Sequence, residues 1–251
     1  MSEYENHTEV TGMCVKAEHL KKSFSIGKNT VQVLKDVSLD VAQGEWVALL
    51  GASGSGKTTL LDIMGTLSKP DQGSLIIDGV DMGKLSRSEQ VTFRRKKIGF
   101  VFQAYHMLPE LSILENVMLP YMLDHHSSKE ARVLAEMLLE RVGLKHRIRH
   151  RANELSGGEQ QRAAIARSLM NSPRLLLADA PTGNLDSVTG NGILDIFKEF
   201  HSERKMSIVM VTHDRSIAGL ADRTVELKDG MLLEEVIPAE PEKSDLAEPE
   251  V

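Results

Sequence analysis

The chain has 251 residues, 41% hydrophobic and 26% charged, with a formal net charge of −6. This length can bury a sizeable core, and the mild acidic excess offers no basic field of the kind that holds a protein on DNA or RNA, so nucleic acid is not an expected partner. Cys14 is the only cysteine, which excludes an internal disulfide and the usual thiolate zinc clusters and suits a reducing compartment.

Residues 1–7 lack the basic-then-apolar order of a secretion signal, and no apolar run approaches the ~18 residues of a membrane span. The expectation is a cytoplasmic chain that meets a membrane only peripherally, through a partner. Val15 to Leu20 and Val31 to Val41 read as strands, interrupted at Lys21 to Phe24 and turned around Gly27, Lys28 and Asn29. They predict an N-terminal antiparallel sheet. Val47 to Leu50, Ile98 to Phe102, Leu175 to Ala178 and Ile208 to Val211 are apolar almost throughout. Continuous rather than alternating hydrophobicity suits strands covered on both faces, as in a parallel sheet sandwiched by helices.

Between the strands, Ser86 with Glu89, Ser112 with Glu115, Ser127 with Glu130 and Ser156 with Glu159 have capping-box spacing. They predict that Ser86 to Val142 is mostly helical apart from the strand at Ile98, as an inserted lobe. Ile193, Ile196, Phe197 and Phe200 share one helical face, which predicts an amphipathic helix over Thr189 to Glu199. His125, His126 and the His146 to Arg151 cluster have no carboxylate or thiolate partners at ligand spacing and read as solvated polar faces or helix ends. Residues 236–251 are rich in Pro and Glu and predict a disordered acidic tail.

The chemistry begins at Gly51-Ala52-Ser53-Gly54-Ser55-Gly56-Lys57-Thr58, which has the form G-x-x-x-x-G-K-[ST]. It follows the apolar run at Val47 and precedes the helix-like stretch from Thr59. In that context glycines let backbone N–H groups converge on phosphates, Lys57 adds a point charge and the Thr58 hydroxyl suits Mg²⁺. A nucleoside triphosphate is the expected ligand. Leu155-Ser156-Gly157-Gly158-Glu159-Gln160-Gln161-Arg162 is a second helix start fit for an anion, this time without a lysine. One domain can fold around one triphosphate, so the second device makes most sense closing on a nucleotide held by another copy. His213 follows the last apolar run, where α/β sheets place ligand groups.

With these motifs in order, the chain resembles the ATP-binding subunits of ABC transporters. The phosphate loop, Leu155 to Gln160, and Leu175 to Asp179 followed by Pro181-Thr182-Gly183-Asn184-Leu185-Asp186 carry the resemblance, which spans Val15 to Leu233. Phe100 to Gln103, Leu108-Pro109 and Glu115 to Pro120 are similar to the branch holding lipoprotein-release, macrolide-export, antimicrobial-peptide-resistance and FtsE-type cell-division ATPases. The implied fold is α/β: a P-loop NTPase core with a mostly parallel sheet, an N-terminal antiparallel β subdomain and an inserted helical subdomain. One ATP-binding domain is implied over 13–235, with its helical lobe at about 104–170.

The resemblance implies ATP and Mg²⁺ as cofactors. Phe24 would stack on adenine, and Gly51, Ser53, Gly54, Ser55, Gly56, Lys57, Thr58 and Thr59 would hold the phosphates. Ser156, Gly157, Gly158, Glu159 and Asp186 would contact a nucleotide across a homodimer. Thr58, Gln103 and Asp179 would serve the metal, Gln103 also reaching toward the attacking water, and His213 would contact the γ-phosphate. A membrane permease would contact the region from Gln103 to Met122, where Tyr105, Met107, Leu108, Leu111 and Met122 are candidate exposed apolar residues.

One position departs from the pattern. Active members carry a glutamate after the strand-end aspartate as the base for water, and here Ala180 stands there. Losing a general base costs ~10²–10⁴-fold in rate while phosphate contacts survive. A change made to trap the ATP-bound state and a naturally degenerate site both fit. The intact remainder of the site favours the first. A non-hydrolysing ATP-dependent clamp or assembly factor is the alternative function. Neither a long coiled coil nor a tandem second cassette is visible, which separates the chain from DNA-repair and translation members.

Overall fold

The computed structural model describes residues 12–27, 29–124 and 126–233. The segment 1–7, Lys28, His125 and the expected tail at 236–251 lie outside the described residues.

β1 (Met13–Ile26) and β2 (Asn29–Ala42) form the predicted antiparallel pair, joined by β4 (Gln72–Ile77) and β5 (Val80–Asp81) in the order β2-β1-β4-β5. The polar stretch at Lys21 to Phe24 does not end the strand. Register shifts around Leu20 and Lys22 absorb it as bulges.

A second sheet has the order β10-β9-β3-β8-β7-β6. It contains β3 (Trp46–Leu50), β6 (Ile98–Val101), β7 (Leu175–Asp179), β8 (Ser207–Thr212), β9 (Arg223–Lys228) and β10 (Met231–Leu232). All its pairs are parallel except β10 with β9. Each central strand splits its side chains between two buried clusters, as period-2 geometry requires. Trp46, Ala48 and Leu50 join one cluster with Leu176, Ala178, Ile208 and Met210, while Val47 and Leu49 join the other with Leu175, Leu177, Val209 and Val211. Both faces are therefore dry, and this is why the strands read as unbroken apolar runs.

α1 (Lys57–Met64) and the antiparallel sheet cover one face, while α6 (Ser187–Arg204) covers the other through Ile193, Leu194, Phe197 and Phe200. α3 (Ile113–Met122), α4 (Ser128–Arg141) and α5 (Gly157–Ser168) pack on one another through Ile113, Val117, Ala135, Leu139 and Ala163. They make the helical lobe. α2 (Arg87–Lys97) does not join it: Phe93 packs beside Val80 and Leu85 on the opposite cluster. The continuous lobe expected from Ser86 to Val142 is corrected accordingly, because α2 packs through Phe93 on one core cluster while the buried side chains of α3 join the other.

Reciprocal capping boxes begin α2, α3 and α5 at Ser86, Ser112 and Ser156, each serine worth about 1 kcal/mol as a cap. At Ser127 only the serine half forms. The expected strand to Phe102 stops at Val101, where pairing with Ala178 ends and the chain turns out of the sheet. The helix expected over Thr189 to Glu199 runs farther at both ends, capped by Asp186. β4 and β9 were not expected, since Gln72, Gly73 and Ser74 in one and Arg223, Glu226 and Lys228 in the other dilute their apolar pattern. α7 (Arg215–Ala218) completes the described helices.

Candidate functional site

A cleft of about 600 Å³ opens at the carboxyl ends of β3, β7 and β8. Phe24, Ser53, Gly54, Gly56, Lys57, Thr58, Thr59, Gln103, Asp179, Ala180 and His213 line it, all of them singled out from sequence. Val33, Val211 and Thr212 also line it and were missed, since nothing distinguishes them from ordinary strand residues.

The phosphate loop leaves β3 at Gly51 and enters α1 at Gly56. A side chain at Gly51 would collide with the Leu227 carbonyl, and one at Gly56, whose φ is 107°, would come within 2.9 Å of Leu34 Cδ2. Both positions thus need glycine. Gly51 and Ser55, both buried, do not line the cleft. α1 has no side-chain cap, so the amides of its first turn remain free for an anion. Lys57 Nζ donates to the carbonyls of Gly51 (2.9 Å) and Ala52 (2.6 Å), inside its own loop. Burial lowers the Lys57 pKa, opposed by the charge of Asp179.

Asp179 ends β7, and its Oδ2 accepts from Thr58 Oγ1 at 3.1 Å. Burial raises its pKa, with the Thr58 hydrogen bond and the Lys57 charge pulling the other way. Asp62, behind it, is raised by burial and by repulsion from Asp179. A hydroxyl, one carboxylate and the Gln103 amide form an all-oxygen donor set, which suits a hard divalent cation that keeps several waters. The residues fit Mg²⁺. Among the described residues no cluster of three His, Cys, Asp or Glu offers a competing metal centre.

Ala180 presents a methyl group to the same cleft, from a left-handed backbone with φ 42°. Phe24 is 43% exposed on β1, with Lys22 Nζ 5.5 Å from its ring centroid. An exposed ring at a cleft mouth is a ready stacking surface. His213 is exposed just past β8.

The second motif stands apart. Ser156, Gly157, Gly158, Glu159 and Asp186 do not line this cleft. Ser156 and Asp186 are exposed at the starts of α5 and α6, which touch where Gly158 meets Thr189. Glu159 Oε2 accepts from the Ser156 amide and hydroxyl, and Glu159 Oε1 accepts from Arg147 Nε at 3.0 Å. Those bonds hold the Glu159 carboxyl below the usual range, as the Thr189 hydroxyl and amide do for Asp186. The His146 to Arg151 cluster is thus more than a solvated face: Arg147 braces the cap of α5. His126 lies 3.3 Å from Asp124 and stacks on Tyr121 on an exposed face, and no metal-ligating cluster forms there among the described residues.

An apolar groove of about 590 Å³ runs between α2, β6 and α3, floored by Phe100, Phe102, Leu119 and Leu123. Leu108 and Met122 are exposed nearby as expected, whereas Tyr105, Met107 and Leu111 are half-buried and Met107 packs on the core. The groove floor was missed in sequence. Its one signal was the i, i+2 pair Phe100 and Phe102, whose rings stack at 4.2 Å.

Comparison with known proteins agrees with this architecture. Residues 34–183 match the ABC transporter family. The lipoprotein-releasing system ATP-binding protein LolD of Xylella fastidiosa is 45% identical over 234 residues, covering 93% of this chain and 98% of the relative. The macrolide export ATP-binding/permease protein MacB of Rhodopirellula baltica is 48% identical over 86% of this chain, which spans only 32% of that relative's length. Among solved structures, the ATP-binding cassette MJ0796, a dimer in a post-hydrolysis state bound to ADP and Pi, superposes with a TM-score of 0.85 at 40% identity, covering 90% of this chain and 99% of that one. The neighbour cbiO1 of Clostridium perfringens, part of the ABC transporter complex cbiONQ, is 27% identical with a TM-score of 0.80, covering 91% of this chain and 90% of its own. The chain belongs to the ABC transporter family, as one of its ATP-binding cassettes.

Proposed function

We propose that residues 13–235 act as the ATP-binding unit of an envelope transporter, closing as a homodimer on two Mg-ATP and coupling that closure to a membrane permease. One observation carries the reading: the cleft gathers an exposed aromatic ring, a phosphate loop and a metal-type donor set, while Ser156 and Gly158 are not among the residues that line it. A second copy turned head to tail would bring Ser156, Gly157, Gly158 and Asp186 of one protomer to the phosphates held by the other. Glu159 would serve as the brace of that helix start. Within the cleft Lys57 and the free amides of α1 would hold the β- and γ-phosphates. Thr58, Asp179 and Gln103 would hold Mg²⁺, which supplies charge neutralisation between the phosphates.

Ala180 shapes the outcome. Its methyl group cannot orient or deprotonate water, so closure would persist and turnover would be strongly impaired. The same observation favours the second reading, a non-hydrolysing clamp. Phosphate release from this chain and from Ala180→Glu separates them, with dimer mass measured with and without ATP. Strong gain on restoring the carboxylate supports the transporter reading; no gain, with dimerisation intact, leaves the clamp. A dimer equally stable without nucleotide sinks both.

The permease would dock in the groove beside α3, and the charge around that groove defines its partner. Among the described residues Arg94 donates only to Thr66 oxygens and Arg167 only to the Tyr105 and His106 carbonyls. Burial lowers both guanidinium pKa values, with no carboxylate offsetting it. An apolar floor between uncompensated cations calls for a cytoplasmic helix carrying apolar residues and a carboxylate. Leu123→Asp should release the chain from native membranes while nucleotide binding stays unchanged; undiminished membrane association would exclude this groove.

A further inference from the structure

Gln103 and Asn184 hold each other by a reciprocal pair of hydrogen bonds. Gln103 Nε2 donates to Asn184 Oδ1 over 3.1 Å, and Asn184 Nδ2 donates to the Gln103 backbone carbonyl over 3.2 Å. The two residues are 81 positions apart and meet because β6 and β7 are parallel neighbours whose chains leave the sheet at the same end. The turn admits the contact through Gly183, where a Cβ would stand 3.1 Å from Gln103 Nε2.

The pair has a direction. A backbone carbonyl only accepts, so Asn184 must turn its Nδ2 toward Gln103 and leave Oδ1 facing the side chain. That oxygen also only accepts, so Gln103 must meet it with Nε2. Gln103 Oε1 is then the end left over, without a hydrogen-bond partner among the described residues and on a side chain that lines the cleft with Thr58 and Asp179. Hard divalent cations take oxygen ligands, and an amide turned the other way would offer them an NH₂ group.

We propose that Asn184 is a positioning residue for Gln103, setting which end of the Gln103 amide is offered to the metal bound with the nucleotide. The inference rests on the reading of this cleft as a Mg-ATP site. Its partner is fixed by chemistry, since an aliphatic residue at 184 would leave the Gln103 amide free to rotate between its two faces. Asn184 is exposed, so its replacement should not unfold the turn.

The test measures affinity for a fluorescent ATP analogue with Mg²⁺ and with EDTA, for the full chain and for Asn184→Ala, Gln103→Ala and the double variant. Thermal melts without nucleotide report on the fold. Asn184→Ala should weaken Mg²⁺-dependent binding by about 3- to 10-fold, the worth of one oriented hydrogen bond, and leave binding in EDTA unchanged. In the Gln103→Ala background the same substitution should have no effect. An equal loss with and without Mg²⁺, or a full loss in the absence of the Gln103 side chain, overturns the role of Asn184 alone. Failure of the parent chain to bind the analogue more tightly with Mg²⁺ overturns the reading of the cleft as well.

Discussion

Two glycine-rich segments lead into helices, and their first turns are satisfied in opposite ways. α1 begins at Gly56 with no side-chain cap, leaving its leading amides open. α5 begins at Ser156 with both halves of a capping box made and Arg147 behind it. The open helix start needs an anion to complete its hydrogen bonding, and it has Lys57 beside it. In the closed one the capping box satisfies the Ser156 and Glu159 amides, so only the two between them, at Gly157 and Gly158, are left for an anion supplied at its exposed face. The contrast extends to the carboxylates. Burial pushes Asp179 up beside the open start, while hydrogen bonds pull Glu159 and Asp186 down beside the closed one.

The largest test of this division is Ala180→Glu. If the two segments close on one triphosphate, supplying the absent base should raise phosphate release by ~10²–10⁴-fold. Next comes Lys57→Ala, which removes the charged donor from the open start. A loss of ~10–100-fold in ATP affinity is expected by equilibrium titration, the worth of a charge-assisted hydrogen bond; unchanged affinity would break the assignment of this loop.

Ser156→Ala should act differently. Losing the cap costs about 1 kcal/mol of stability, or roughly 2–4 °C in melting temperature. ATP affinity of the monomer should hold while ATP-dependent dimerisation is lost, as read by light scattering. Weakened monomer affinity would mean that the two segments are not divided between protomers. The smallest effect concerns Asp179→Asn without nucleotide. Because the native carboxyl holds its proton longer than the unfolded chain's, stability falls as pH rises above the ordinary value of 3.8 through the native one. Asn removes that penalty, so the melting temperature at neutral pH should rise, with no gain below pH 3.8. The same variant should lose Mg²⁺-dependent binding, a stability gained at the cost of function.

The central strands were legible because their burial on both faces leaves an unbroken apolar signature. The phosphate loop was legible because eight consecutive residues, Gly51 to Thr58, carry its whole geometry. β9 was not, since its charged residues mask a strand sheltered by β3 and β10. Nor was the side on which α2 packs, which depends on which core cluster Phe93 meets in the fold.

Local spacing alone therefore determined where this chain could cradle a phosphate and where its helices start, while the significance of Ala180 came only from the family resemblance. Tertiary structure decided which distant residues share a cleft: Phe24 from the first strand, Asp179 from β7 and His213 beyond β8. It also decided that Gln103 meets Asn184, that Phe100 and Phe102 line a groove, and that Ser156 does not line the cleft of its own chain. Periodicity and capping are written within a few residues of each position, whereas these contacts follow from strand order. Strand order is set by how the whole core closes on both faces of the sheet.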